Sequence, residues 1–133
     1  MAIQIKNFSV VVTEILDDYS ADVREAVGEA VEKAGKKALA SVKKRSPVSK
    51  GKKGGRYKKG WRMKKEVGGI YRDQVTAVIY NKQGSLVHLI ENGHQKANGG
   101  RVEGIPHVQP AMEEAEHVLT ELTARAIEEA GNR

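Results

Sequence analysis

Apolar residues recur at intervals of three and four positions between Tyr19 and Val42, a spacing that predicts one long amphipathic helix. At the standard rise this helix would be about 36 Å long. Besides the two ends, the apolar positions are Val23, Ala26, Val27, Ala30, Val31, Ala34, Ala38 and Leu39.

The residues on either side of this stretch are typical of helix ends. Asp17, Asp18 and Ser20 precede it and can cap the free N–H groups of its first turn. Lys43, Lys44 and Arg45 are favoured near the C-terminal end of the helix dipole. Pro47 disfavours the helical conformation at Ser46, so we expect the helix to end there.

Gly28 and Gly35 are seven positions apart and therefore lie on one face of the predicted helix. They would allow another helix to approach closely, or they are tolerated glycines on an exposed face. The sequence leaves both readings open.

Two strands are predicted after a polar interval, in WRMKKEV (61–67) and QVTAVIYN (74–81). We place their turn among Val67, Gly68, Gly69, Ile70, Arg72 and Asp73. Both faces of the second strand are largely apolar, which indicates a sheet covered by helices on one side and by a second subunit on the other. The stretch before Leu16 fits either a strand or a lead-in to the long helix.

The last third of the chain predicts a short helix over Leu86 to Glu91, with Ser85 as its cap and Gly93 as its left-handed C-terminal residue. Pro110 suits the first turn of a final helix, where its missing N–H costs nothing. The apolar stripe of that helix comprises Met112, Ala115, Val118, Leu119, Leu122, Ala126 and Ile127.

Three of the four histidines lie in the connecting segment HLIENGHQKANGGRVEGIPHVQPA, residues 88 to 111. His88, Glu91 and His94 resemble a ligand cluster, but His94 follows Gly93 and leaves the helical face that the other two share. No HExxH motif, calcium loop, P-loop or nucleophile elbow is present. We therefore interpret the segment as a shaped connection whose path is set by Gly93, Gly99, Gly100, Pro106 and Pro110. Arg101 would pair with acids of the same or an adjacent subunit, or be solvated.

The charge is unevenly distributed. Residues 43–65 hold 12 of the 23 Lys and Arg and no acid, which leaves 11 bases against 17 acids elsewhere, a net charge of −6. Residues 46–60 are rich in Gly, Lys and Ser and predict a flexible basic loop or arm within a single domain, 1–133. The asymmetry favours an acidic partner, either nucleic acid or another copy.

Composition excludes several classes. The chain has no cysteine, so neither disulfides nor thiolate metal sites are available. The first twelve residues hold one Lys and no cleavage signal, so we expect neither a signal peptide nor a membrane span, and synthesis in a cytoplasm. Aromatic residues make up 5% of the chain, which predicts a thin core supported by self-association.

Several quoted stretches together resemble the small tail-component family of siphovirus-type tailed bacteriophages and prophages, whose members are neck or tail-completion proteins. They are the RSPV stretch at 45–48, the GW pair at 60–61, the IYN stretch at 79–81, LVHLIENGH at 86–94, GGRV at 99–102 and GIPHVQPA at 104–111. The resemblance runs from about residue 15 to the C-terminus, and the segment from His88 to Ala111 is its most specific part. Ser49, Lys50 and Gly51 stand where the family usually has Thr-Gly, which makes this loop more basic.

The resemblance implies an α+β fold: a long N-terminal helix, a small antiparallel sheet with a flexible basic loop, a short helix, and a C-terminal helix packed on the sheet. It implies a structural virion protein of the head–tail connection or tail end, without catalysis, cofactor or metal, made in the host cytoplasm. Partners would be other copies in a ring and neighbouring neck or tail proteins, with no membrane. The expected assembly or DNA contacts are Lys52, Lys53, Arg56, Lys58, Lys59, Trp61, Val78 and Arg101. The alternative is a non-specific nucleic-acid-binding protein that uses residues 43–65, with Tyr57 and Trp61 stacking on bases.

Overall fold

The computed structural model describes residues 2–6, 9–15, 20–48, 54–68 and 74–131 of the chain. It has the predicted α+β architecture. In chain order the elements are β1 (Ala2–Lys6), β2 (Ser9–Ile15), α1 (Ala21–Arg45), α2 (Arg56–Lys59), β3 (Trp61–Gly68), β4 (Gln74–Asn81), α3 (Gly84–Asn92), β5 (Gly93–Gln95), β6 (Arg101–Glu103) and α4 (Val108–Gly131).

The long helix α1 packs against both the sheet and α4. Ser20 caps it by accepting a hydrogen bond from the N–H of Val23 at 3.4 Å, and the helix ends at Ser46, as the following proline predicts. Its buried face contacts β2, β3 and β4, and another side contacts α4 along its length. The C-terminal helix, expected to pack on the sheet, therefore lies chiefly along α1 and meets the sheet at β1.

Polar contacts fix the two long helices to each other and α1 to the sheet. Arg45, at the end of α1, forms an ion pair with Glu114 of α4. Hydrogen bonds from Ser41 and Arg45 hold the pKa of the Glu114 carboxyl below its usual value. Lys65 of β3 reaches Glu32 of α1 at 3.3 Å.

The main sheet has the strand order β1-β2-β4-β3, and each pair of neighbours is antiparallel. The ambiguous N-terminal stretch is thus resolved as two strands. Side chains alternate with a period of two, so that one face of the sheet joins the core with α1 and α4. The buried residues of that face are Val10, Val12, Val75, Ala77 and Ile79.

The other face of the sheet is mixed in character. Val78 is half-buried between Val11 on β2 and Lys64 on β3, and Lys64 is exposed. Thr13 and Thr76 form a hydrogen bond across the strands at 3.2 Å. The described part of the chain covers this face only in part, and its cover by a second subunit stays a prediction.

The two glycines of α1 approach the sheet instead of a second helix. A Cβ added at Gly35 would lie 2.8 Å from Ala77 Cβ and 2.9 Å from Met63 Sδ. At Gly28 the nearest atom would be a methyl group of Val75 at 3.7 Å. Gly35 is therefore required by the close approach of β4, whereas Gly28 has room for a methyl group.

Three local predictions are corrected. The predicted arm, 46–60, ends in the short helix α2, and Tyr57 within it is buried. Gln83, not Ser85, is the N-cap of α3, which begins at Gly84. Gly68 extends β3 by one residue into the predicted turn, whereas Val67 lies in the strand as WRMKKEV predicts. The remaining predicted turn residues, 69–73, lie outside the described residues, as do Lys50, Gly51, Lys52 and Lys53 of the arm.

Candidate functional site

The carboxylate of Glu91 caps the start of α4. It accepts hydrogen bonds from the backbone N–H groups of His107 at 2.7 Å, Val108 at 2.8 Å and Gln109 at 3.0 Å. These N–H groups have no partner within the helix, and the helix dipole favours a negative charge beside them. Glu91, considered above as a metal ligand, thus joins the end of α3 to the start of α4.

His107 is fully buried and links this cap to α2. Its Nδ1 lies 2.8 Å from Glu91 Oε1 and 2.9 Å from the carbonyl oxygen of Ile105. Both neighbours accept hydrogen bonds, so Nδ1 donates. The other ring nitrogen, Nε2, is hydrogen-bonded to the Tyr57 hydroxyl at 2.5 Å.

Tyr57, Trp61 and His107 form a cluster of three rings in edge contact. Their ring centroids are 5.5 to 6.1 Å apart. Burial, and then the negative charge of Glu91, raise the pKa of the Tyr57 hydroxyl. The Trp61 indole donates to Ser46 Oγ at 2.8 Å, so this cluster ties the end of α1 to β3.

This cluster corrects the stacking prediction. Trp61 is 0% exposed and Tyr57 8%, so neither ring can stack on a nucleic-acid base in this conformation. Both aromatic residues belong to the stretch 43–65, which we call the basic segment, and their side chains pack in the core. In the sequence, Trp61 begins the predicted strand WRMKKEV and Tyr57 lies one helical turn before it. These positions are compatible with a role in the core as well as with stacking.

Two glycines let the backbone of the segment after α3 pass close to the end of α3. Gly93 has φ of 77°, and a Cβ there would lie 2.3 Å from the carbonyl oxygen of Val102. A Cβ at Gly104 would lie 2.5 Å from the carbonyl oxygen of Glu91. No side chain larger than hydrogen fits either position without moving the backbone.

Gly99 and Gly100 form the tip of a hairpin between β5 and β6, a pairing that the sequence analysis treated as loop. Their φ angles are 88° and 85°, and a Cβ on either would meet no atom within 4 Å. They are needed for conformation alone. Of the two prolines, Pro106 lies between β6 and α4, and Pro110 is the third residue of α4, within its first turn as predicted.

The remaining predicted contact residues are spread over the surface. Arg56 and Lys59 are exposed on α2, Lys58 and Val78 are half-buried, and Lys52 and Lys53 lie outside the described residues. Arg101 is exposed and donates to the backbone carbonyl of Asn92 at 2.6 Å, at the C-terminal end of α3. That contact is neither of the two alternatives raised for Arg101, an acidic partner or solvent alone.

The part of the chain that the structure describes contains no cluster of three or more potential metal ligands. Glu91 is committed to α4, and His88 Nδ1 lies 3.0 Å from the side-chain amide of Asn92. None of the helices in the described ranges combines the length and apolar character that a membrane crossing requires.

An apolar groove of about 740 Å³ lies between α3, the β5–β6 hairpin and two stretches of the basic segment, residues 47–48 and 55–57. We call it the α3 groove. Six large hydrophobic residues are exposed in the described ranges, and five of them line this groove: Val48, Leu86, Leu89, Val102 and Ile105. The sequence analysis did not predict this groove. Leu86, Val87, Leu89 and Ile90 make α3 apolar over a wide arc, and only Val87 among them is fully buried.

Comparison with known proteins places the chain in a family. The profile of the HK97-gp10-like family, described as "Bacteriophage HK97-gp10, putative tail-component", matches residues 12–93. Since this is more than half of the 133 residues, the chain belongs to this family of phage tail components, and a tail component is part of the virion. The match covers α1 to α3 and ends at Gly93, before most of the segment from His88 to Ala111. No curated protein and no solved structure matches the chain.

Proposed function

We propose that this tail component acts by assembly alone, as a neck or tail-completion protein that forms a ring with other copies and joins neighbouring tail or head–tail proteins. One observation carries the proposal. The side chains capable of acid–base chemistry that lie together, Tyr57, Glu91 and His107, are used in hydrogen bonds that hold α2, α3 and α4 in place.

The surface supports contact with other proteins. Exposed large hydrophobic side chains are concentrated in the α3 groove, whereas scattered ones are usual on monomeric proteins. The outer face of the sheet provides a second surface, where Val78 and Val11 are half-buried. A contact of this sheet face with a different surface of the next copy closes into a ring when its rotation closes, and the α3 groove then remains for a neighbouring protein.

The test is genetic complementation of a phage that lacks the gene. We expect the deletion to leave DNA-filled heads and tails that are separate or malformed in electron micrographs, and plasmid-borne wild-type protein to restore plaques. Normal infectious particles from the deletion strain would contradict the proposal.

A surface variant separates assembly from folding. Val78→Glu places a carboxylate opposite Lys64, so the protein should fold yet fail to complement. Ala40→Glu is the matched control, because it adds the same charge at an exposed position of α1, one turn before Lys44. The control should complement fully. Full complementation by folded Val78→Glu would remove the outer sheet face from the proposed interface.

Non-specific DNA binding by the basic segment is the second candidate. It is favoured by the exposed cations on α2 and β3, namely Arg56, Lys59, Arg62, Lys64 and Lys65. A DNA contact is compatible with a role in the neck.

A further inference from the structure

The α3 groove has the properties of a binding site for a helix. Its floor is formed by Leu86, Leu89 and Ile90, which recur at the spacing of one helical face. An amphipathic helix laid in an apolar groove is a common recognition mode.

One wall of the groove belongs to the basic segment. Pro47, Val48 and Gly55–Tyr57 form it, and Arg56 is exposed there. Arg56 is the charged residue that this wall contributes among the described residues. Glu103 lies among the groove residues contributed by the β5–β6 hairpin. An occupant with acidic residues on the side of Arg56 would therefore match the charge of that wall.

A second copy of this chain matches the groove poorly. Outside the groove, the described residues expose one large hydrophobic side chain, Val67 at the end of β3, which is 50% exposed. Its strand also exposes Arg62, Lys64 and Lys65, so its charge repels the basic wall. The charged residues of α4 are mostly acidic, but this helix exposes no large hydrophobic residue in the described ranges.

We propose that the α3 groove binds an amphipathic helix with an acidic polar face that belongs to a different virion protein. The inference rests on the proposed function, because it names the chemistry of the neighbour that this tail component joins. Apolar side chains of the partner contact Leu86, Leu89 and Ile105, and its acidic residues pair with Arg56.

Binding can be measured with the full chain and synthetic peptides, by fluorescence anisotropy of a label on the peptide. The probe is an amphipathic helix of about five turns with Leu on one face and Glu on the other. Its controls are a scrambled peptide of the same composition and a peptide with Lys in place of Glu. We expect the acidic helix to bind at least about tenfold more tightly than either control, which is the loss expected from removing one strong interface contact.

Variants locate the binding. Leu86→Ser and Leu89→Ser should each weaken binding about tenfold, whereas Val67→Ser, the same kind of change outside the groove, should leave it unchanged. Ile105→Ser is a further groove variant in the connection before α4, and it replaces any α3 variant that fails to fold by circular dichroism. Arg56→Gln should reduce both affinity and its salt dependence, and Lys36→Gln should change neither.

Several results would overturn the inference. They are equal binding of acidic and scrambled peptides, groove variants that bind like wild type, and tighter binding of the lysine peptide. Sedimentation gives a further one: if wild type forms an oligomer that Leu86→Ser or Leu89→Ser dissociates, a second copy occupies the groove.

Complementation separates failure of this inference from failure of the proposed function. If the deletion strain is defective but Leu89→Ser restores it fully, the groove is not the joining site and the proposed function stands. If the deletion strain produces normal particles, the proposed function fails whatever the peptides show.

Discussion

The Glu91 side chain accepts a hydrogen bond from the backbone N–H of His107 and also lies 2.8 Å from the ring Nδ1 of the same residue. Two elements that are separate in the chain, α3 and α4, are joined by this pair. Tyr57 extends the connection to α2 through the opposite nitrogen of the ring.

Removal of the Glu91 carboxylate should destabilise the protein strongly. Glu91→Ala leaves three backbone N–H groups without their acceptor and His107 Nδ1 with the Ile105 carbonyl alone, so we expect a loss of about 2 to 4 kcal/mol in the free energy of unfolding. Glu91→Gln keeps one acceptor oxygen and should lose less. Urea unfolding measures both, with Glu116→Ala on the exposed side of α4 as control. A loss for Glu91→Ala no larger than that of the control would contradict the capping role.

The raised pKa of Tyr57 predicts a loss of stability at high pH. The unfolded chain releases this proton near the usual value of about 10, while the folded protein keeps it. The contribution is therefore fully present below about pH 10 and decreases as the pH rises above it, by up to about 1.4 kcal/mol per pH unit.

Tyr57→Phe is the variant that isolates this effect. It should be less stable than wild type at pH 8, because the hydrogen bond between the Tyr57 hydroxyl and His107 is lost, and the difference should shrink at pH 10.5. Urea unfolding at both pH values measures it, with Tyr80→Phe as control. A stability difference that does not change with pH would count against the effect.

Gly93 and Gly99 share a positive φ but differ in their surroundings, so alanine should affect them differently. Gly99→Ala should lower the free energy of unfolding by about 1 to 2 kcal/mol, because only the backbone conformation is unfavourable for alanine. Gly93→Ala adds a clash with the backbone of β6 and should lose well over about 3 kcal/mol or fail to fold. Thermal unfolding of the two variants and of Gly84→Ala, which has open space and no positive φ, provides the comparison. Equal losses at 93 and 99 would show that β6 can move aside.

Gly28 and Gly35 provide a matched pair within α1. Gly28→Ala should stabilise the protein by about 0.5 to 1 kcal/mol, because alanine is a better helix former and its methyl group fits beneath Val75. Gly35→Ala should be destabilising, because its methyl group would meet Ala77 Cβ at 2.8 Å. Chemical denaturation measures the two effects. Stabilisation by both substitutions would mean that the sheet does not approach α1 as closely as described.

DNA binding by the basic segment, if it occurs, should depend steeply on salt. The slope of log K against log salt should be about −0.9 for each phosphate contact. Replacing Lys52, Lys53, Lys58 and Lys59 by Ser should flatten it. The same number of changes at Lys33, Lys36, Lys37 and Lys96 serves as control, measured by filter binding. Tight or sequence-selective binding that is insensitive to salt would favour a dedicated nucleic-acid-binding protein instead.

Sequence alone determined the elements whose signals are local. The repeat of valine and alanine predicts the length of α1. The cap at Ser20 and the end of the helix before Pro47 depend on residues within a few positions of each helix end, where backbone conformation and side-chain hydrogen bonds decide the outcome. The alternation in β4 and the proline in the first turn of α4 are signals of the same kind. The family resemblance added the class of protein, which the profile match over residues 12–93 confirmed.

Tertiary structure decided everything that depends on contacts between distant residues. Tyr57 and His107 are 50 positions apart, and no spacing rule indicates that this hydroxyl and this imidazole are hydrogen-bonded in the core. The tight fit of Gly35 against Ala77 depends on how closely α1 approaches β4. The α3 groove lies where α3, the hairpin and residues 55–57, which are far apart in the chain, come together around Leu86 and Leu89. Such features follow from the packing of elements whose relative positions the local pattern of a sequence does not specify.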